Sequence, residues 1–229
     1  MKARLAAPEM LVSLQGIAEI RGVSRDGDVL TVGGGTRHAV VAREAAAHYP
    51  ALAALAGGIG DPMVRNRGTI GGSVANNDPA ACYPSAVLAS GATIVTDRRE
   101  IGADDFFEGM FTTTLEEGEI ITAIRFPIPE AAAYVKFAQP ASRFAMVGVF
   151  VAKTAEGARV AVTGAAEEGV FRWAEAEVAL DGTFSPEALA DLDPPDADLM
   201  IGDLHGSKPY RAHLVKVIAG RAVAAALAG

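Results

Sequence analysis

The 229-residue chain has a single cysteine, Cys82, so it can form no internal disulfide. No group of Cys and His residues has the spacing of a zinc or iron–sulfur site. Together these absences predict a reducing, cytoplasmic setting and no bound metal. Basic clusters are missing as well. Lys and Arg total 20 against 28 Asp and Glu, a formal charge of -8, and no stretch is dense enough in cations to neutralise a row of phosphates, which argues against nucleic acid as a partner. Long apolar runs are also absent. The most apolar-biased stretch, Tyr210 to Ala228, is interrupted by Arg211, His213, Lys216 and Arg221; it predicts an amphipathic helix on a core, not a membrane span. The amino terminus is basic at Lys2 and Arg4 but continues into Pro8 and Glu9, so no secretory signal is expected there. No carboxylate pair stands out, and none of His38, His48, His205 and His213 has a plausible triad or ligand set, so no catalytic residue is assigned.

Half of the residues are hydrophobic, enough for a sizeable core in one large domain or two small ones. Asp28–Val32 reads as a strand stopped by Gly33, Gly34 and Gly35, which are taken as a turn. An alanine-rich helix is expected over Val41–Ala56, ending in Gly57 and Gly58. Ile59–Asp78 shows almost no periodicity and is expected to be a long functional loop. Asp78 and Pro79 resemble an N-cap and first helical residue, opening a helix through Ser90. Strands at 92–96, 120–127, 133–138, 146–153 and 159–163 predict an antiparallel sheet, with helices at Phe171–Leu180 and Pro209–Ala228 covering one face. The turn Phe126, Pro127, Ile128 and Pro129 suggests a boundary, dividing the chain into 1–129 and 130–229. The predicted fold class is α+β.

The most informative stretch runs from Val64 to Pro79, VRNRGTIGGSVANNDP. A glycine pair flanked by hydroxyls and amides, close to a predicted helix start, offers N–H groups and short polar side chains suited to a phosphate or ribose. The plainer reading is that Gly71 and Gly72 only make a tight turn and Asp78 only caps a helix. Local chemistry leaves both open.

Residues 61–80, DPMVRNRGTIGGSVANNDPA, resemble the second flavin motif of the medium subunits of aerobic carbon monoxide dehydrogenase and of the xanthine dehydrogenase flavin domain, the molybdenum hydroxylase family. Thr36–His38, Asp104–Phe107, Leu115–Ile121 and Gly202–His205 through Lys216 resemble family signatures in the same order, so the similarity spans essentially the whole chain. It implies an α/β flavin subdomain of the PCMH type, followed by an antiparallel sheet with helices on one face. It also implies FAD as cofactor, with a [2Fe–2S] small subunit and a molybdopterin large subunit as partners. By resemblance, Thr69, Gly71, Gly72, Ser73 and Asn76 hold the diphosphate and ribose through backbone N–H groups and side-chain oxygens. Asp78 borders that loop, and Ile59 packs near the nucleotide side. Lys136 lies near the flavin ring, where a cation stabilises negative charge gained on reduction. Phe144 falls where some members place an aromatic against the ring.

The chain departs from the family pattern in places. The first flavin loop, Ala-Gly-Gly-x-Ser/Thr-Leu-x-Pro, has no counterpart, and Met1–Val12 resembles what ordinarily follows it. Cys82 stands where the family usually has an aspartate, and is read as a small buried residue. Gln139 and Pro140 replace a common basic pair. An alternative is therefore a flavin-free relative with a structural or interaction role.

Overall fold

Gly27, at φ 54°, turns strand β1 (Val23–Asp26) back onto β2 (Val29–Gly33), a conformation glycine adopts without the penalty of a Cβ. The computed structural model describes residues 10–229; most of the amino-terminal segment compared above lies outside them. From β2 the chain passes through helices α1 (His38–Glu44), α2 (Pro50–Gly57), α3 (Pro62–Arg67), α4 (Ile70–Asn76) and α5 (Tyr83–Ala89). It then forms β3 (Thr93–Thr96), β4 (Glu100–Gly102), a small hairpin of β5 (Phe107–Gly109) and β6 (Thr112–Thr113), and β7 (Ile121–Pro127). The last part comprises β8 (Ala131–Ala138), β9 (Ala145–Thr154), β10 (Gly157–Ala166), β11 (Gly169–Arg172), α6 (Ala174–Gly182) and α7 (Lys208–Leu227).

The strands form two main sheets, β1-β2-β7-β3-β4 and β11-β10-β9-β8, with all neighbours antiparallel. One antiparallel sheet was expected from residue 92 onward; instead β3 and β7 join the amino-terminal strands. Register explains why. Leu30 lies opposite Phe126, Val32 opposite Ile124, and Ile124 opposite Ile94, and all five are fully buried. Burying each such side chain contributes about 1.5–3 kcal/mol, so these pairs bring together strands far apart in sequence.

In the second sheet β9 is buried almost throughout because both of its faces are covered. Val147, Val149 and Val151 enter a core with Trp173, Leu180, Val215 and Ile218 of the α6 and α7 side. Phe150 and Ala152 enter the other core with Tyr49, Leu52 and Tyr83. Thus α6 and α7 cover one face as expected, while α2 and α5 pack on the opposite one. Two arginines tie the layers together. Arg159 donates to the Leu88 carbonyl and the Asp104 carboxylate. The buried Arg211 donates to the carbonyls of Met146 and Gly164, and to Asp203.

Four helix boundaries differ from expectation. The helix over Val41–Ala56 is two helices, because Pro50 cannot continue one and Tyr49 is extended at φ -143°. The 59–78 loop contains α3 and α4, since Asp61 and Thr69 cap two short turns whose length hides their period. Asp78 does not cap a helix. Its carboxylate accepts from Ala80 N–H, and the Pro79 carbonyl accepts from Gly164 N–H and the Thr163 hydroxyl, so the chain is held against β10 until α5 starts at Tyr83. Phe171 lies within β11, which runs to Arg172, and Trp173 N–H donates to the Val160 carbonyl before α6 begins.

Candidate functional site

α4 is short and lies close against the end of β2. The Thr69 hydroxyl accepts from Gly72 N–H at 3.2 Å, capping the helix, while Ile70 N–H donates to the Thr36 carbonyl and Gly71 N–H to the Gly34 carbonyl. A Cβ on residue 71 would stand 2.7 Å from the Gly34 oxygen, so Gly71 is needed for the close approach of two backbones. Gly33 has the same constraint, 2.5 Å from the Ile20 oxygen, which makes the 33–35 triplet a packing feature as well as a turn. Ser73 N–H donates to the Thr69 carbonyl. Every backbone N–H from Ile70 to Ser73 is therefore bonded within the protein. This differs from the expectation that Gly71, Gly72 and Ser73 offer free N–H groups: the turn is helical, and its donors are spent on the cap and on β2.

Apart from Asn76, the site residues inferred from sequence fall into two clefts that share α4 as a wall. Thr69, Gly71 and Gly72 line a cleft of about 270 Å³ together with Gly34, Gly35, Arg21, Arg37 and Arg67. Ser73, Asp78, Ile59 and Lys136 line a second of about 160 Å³ with His38, Cys82 and Phe144. Asn76 is exposed near the end of α4 and lines neither. Its neighbour Asn77 was not singled out from sequence. It is buried at φ 42°, and its amide donates to the carbonyls of Gly109 and Thr112, fixing the β5–β6 hairpin beside α4. Asparagine tolerates the left-handed conformation, and an Asn pair before Asp-Pro was the available signal.

In the second cleft Lys136 reaches from β8 to donate to the carbonyls of Gly58 and Arg143, with Cys82 Sγ 3.8 Å away. All three contacts are uncharged. Burial pushes the Cys82 thiol up, partly offset by the Lys136 charge, so it is a protonated, buried group as expected and not a nucleophile. His38 is held down to about 4 by burial and is neutral near pH 7. Phe144, 53% exposed, borders this cleft and a third of about 440 Å³ that reaches Gln139, His205 and Arg211. Among the described residues no three or more His, Cys, Asp or Glu side chains are placed to hold a metal, and no helix is long and apolar enough to cross a membrane.

Residues 1–129 match the family of the FAD binding domain in molybdopterin dehydrogenase. The chain is 32% identical to the nicotine 6-hydroxylase medium subunit of Paenarthrobacter nicotinovorans, over 97% of this chain and 84% of that protein. It is also 32% identical to the carbon monoxide dehydrogenase medium chain of Hydrogenophaga pseudoflava, over 100% and 85%. The fold superposes on the crystal structure of the Cu,Mo-CO dehydrogenase with a TM-score of 0.89 at 30% identity, covering 100% of this chain and 85% of that one. The chain belongs to the FAD-binding medium subunits of the molybdenum hydroxylase family and is an oxidoreductase subunit.

Proposed function

We propose that this chain relays electrons within a larger enzyme: it takes them from a [2Fe–2S] small subunit and passes them through FAD to an external acceptor, while a molybdopterin large subunit oxidises the substrate. The observation that carries this reading is the position of α4, whose Thr69–Ser73 turn forms a wall of both clefts, so one extended ligand can lie along it. FAD, when bound, supplies two-electron acceptance and onward transfer that no side chain here can perform.

The residues fit that group through side chains and an open glycine surface. Gly72 is exposed, and only the Thr69 hydroxyl lies near where its Cβ would be, so a ligand can approach the backbone closely. Thr69 and Ser73 bring hydroxyls to the two clefts, and Asp78 and Ile59 border the second cleft. Lys136 brings an ammonium held by neutral acceptors to the same cleft, suited to countering negative charge gained there on reduction. The chain's own residues thus bind, orient and supply charge. Neither the neutral His38 nor the buried Cys82 is poised to move a proton, so the proton that a two-electron-reduced flavin takes up would come from solvent. We include in this proposal a division of labour between residues 1–129 and 130–229, because the chain passes from the first sheet to the second at the proline turn.

Two measurements test this. The purified chain titrated with FAD should gain the blue absorption of a bound flavin, and co-expression with its iron–sulfur and molybdenum neighbours should yield a complex of all three. A chain that stays colourless at saturating FAD yet still assembles supports the flavin-free structural alternative.

A further inference from the structure

Among the described residues three non-glycine residues have a left-handed backbone: Asn77, Phe111 and Arg143, at φ 42°, 56° and 62°. Phe111 lines the third cleft, of about 440 Å³, and the other two adjoin its lining residues Asp78, Ser142 and Phe144 in the chain. Such a backbone costs free energy and persists only where neighbours enforce it. Here they do: Phe111 N–H donates to the Asn77 carbonyl, and Lys136 holds the Arg143 carbonyl. What this strain secures is the placing of two phenylalanines in water. Phe111 is 57% exposed and Phe144 53%, although burial of such a ring is favourable, and both border the same opening.

The polar groups of this cleft include donors that lack a strong acceptor. The Ser142 hydroxyl accepts from Phe144 N–H and keeps its own hydrogen free. Gln139 Nε2 meets only the Met146 sulfur among the described residues, at 3.7 Å. Charge, by contrast, disfavours an anion. Of the lining side chains only Arg211 carries a fixed positive charge; it is buried and donates to Met146, Gly164 and Asp203. Asp78 adds a carboxylate whose side-chain contact is Ala80 N–H. A ligand bearing phosphates therefore meets negative charge here. An uncharged ring with carbonyl oxygens meets two aromatic side chains and two hydrogen-bond donors.

We propose that the third cleft is the site of the external electron acceptor, and that it takes an uncharged quinone-type ring, not a nicotinamide dinucleotide. The proposal rests on the FAD reading above. Phe144, Asp78 and Ala80 line both this cleft and the second one beside Lys136, so a ring bound here is separated by one shared wall from a ligand bound there. The step balances as FADH2 plus quinone giving FAD plus hydroquinone: two electrons and two protons pass, and both ring C=O groups become C–OH.

The probe is duroquinone, whose fully methylated ring cannot add to the Cys82 thiol. Equilibrium dialysis of the full chain, with and without FAD, should show saturable duroquinone binding and NAD+ binding at least about tenfold weaker. Phe111→Gly removes the ring and suits the left-handed backbone, so its urea midpoint should not fall. Its duroquinone affinity should drop about tenfold, within the range of a lost aromatic contact. Ser142→Ala should weaken duroquinone about threefold or more, as for one lost hydrogen bond, and Leu227→Ala, at the exposed end of α7, should match the wild type. In the FAD-loaded chain reduced under argon, reoxidation by duroquinone should slow in Phe111→Gly, while reoxidation by ferricyanide, which needs no ring site, should not. Duroquinone binding that is absent, or unchanged in both cleft variants, overturns the site and leaves the FAD reading intact. NAD+ binding as tight as that of duroquinone and weakened by the same variants overturns the choice of ligand. If duroquinone binds through Phe111 in a chain that takes up no FAD, the ring site stands and the FAD reading fails.

Discussion

Lys136 Nζ, on the second sheet, donates to the carbonyl oxygen of Gly58, at the end of α2, over a distance of 2.8 Å. The same ammonium holds the carbonyl of Arg143, a non-glycine residue at φ 62°, a backbone state that costs free energy unless neighbours enforce it. One side chain therefore closes the second cleft by joining α2 to the β8–β9 connection. Lys136→Met should lower stability by about 1–2 kcal/mol, below the usual value for two charged hydrogen bonds because the group is partly exposed. It should also speed tryptic cleavage after Arg143. Urea melts combined with timed proteolysis read both effects; a slower or unchanged cleavage rate would show that the lysine does not order the turn.

The two glycines of α4 have different jobs, and single alanine substitutions separate them. At residue 71 a Cβ meets the backbone of Gly34, with its oxygen 2.7 Å and its Cα 2.9 Å away. Neither atom can move without shifting the end of β2. At residue 72 the nearest atom is the Thr69 hydroxyl at 3.0 Å, which can rotate away at the cost of the cap. Gly71→Ala should destabilise the protein by about 1–3 kcal/mol, the usual range for overpacking. Gly72→Ala should cost about 1 kcal/mol or less, the value of a weakened cap. Flavin affinity is expected to reverse the order relative to stability, because Gly72 is the residue on the open surface. Equal losses of stability would refute the distinction.

How far the sequence is legible follows from the length of each signal. The terminal helix and the 145–154 strand are long enough to show themselves, and α7 begins and ends within a residue or two of the sequence estimate. The site segment was located from its glycines, hydroxyls and amides, yet its structure was misread. A six-residue and a seven-residue helix are too short for a 3.6-residue period to repeat, and two glycines conceal the second. Which N–H groups remain free depends on Gly34 and Thr36 lying beside α4, a contact between segments about 35 residues apart. The assignment of β3 and β7 to the first sheet was likewise beyond local patterning, since alternation marks a strand without naming its partner.

Acid stability should fall in two separable steps. His38 is buried beside Tyr83, with its Nδ1 unpartnered, and is held down to about 4 from 6.5. Between those values the unfolded chain binds a proton that the folded chain does not, so stability declines as pH drops from about 6.5 to about 4. The decline is at most about 3 kcal/mol, at 1.36 kcal/mol per unit of separation. Glu119 acts in a lower window. Arg99, the Glu116 N–H and Thr96 hold its carboxyl down to about 2 from 4.5, so its contribution is fully present above about 4.5 and is lost as pH falls toward 2. Trp173 is the only tryptophan and is buried in the second core, so its emission reports unfolding throughout. Urea midpoints followed by that emission should slope downward through both windows in the wild type. His38→Gln should flatten the upper one and leave the lower, and Glu119→Gln should do the reverse while lowering the midpoint at neutral pH. If His38→Gln left the slope between 6.5 and 4 intact, the acid sensitivity would have to come from another group, and the neutral, buried state of this histidine would not be what links folding to pH.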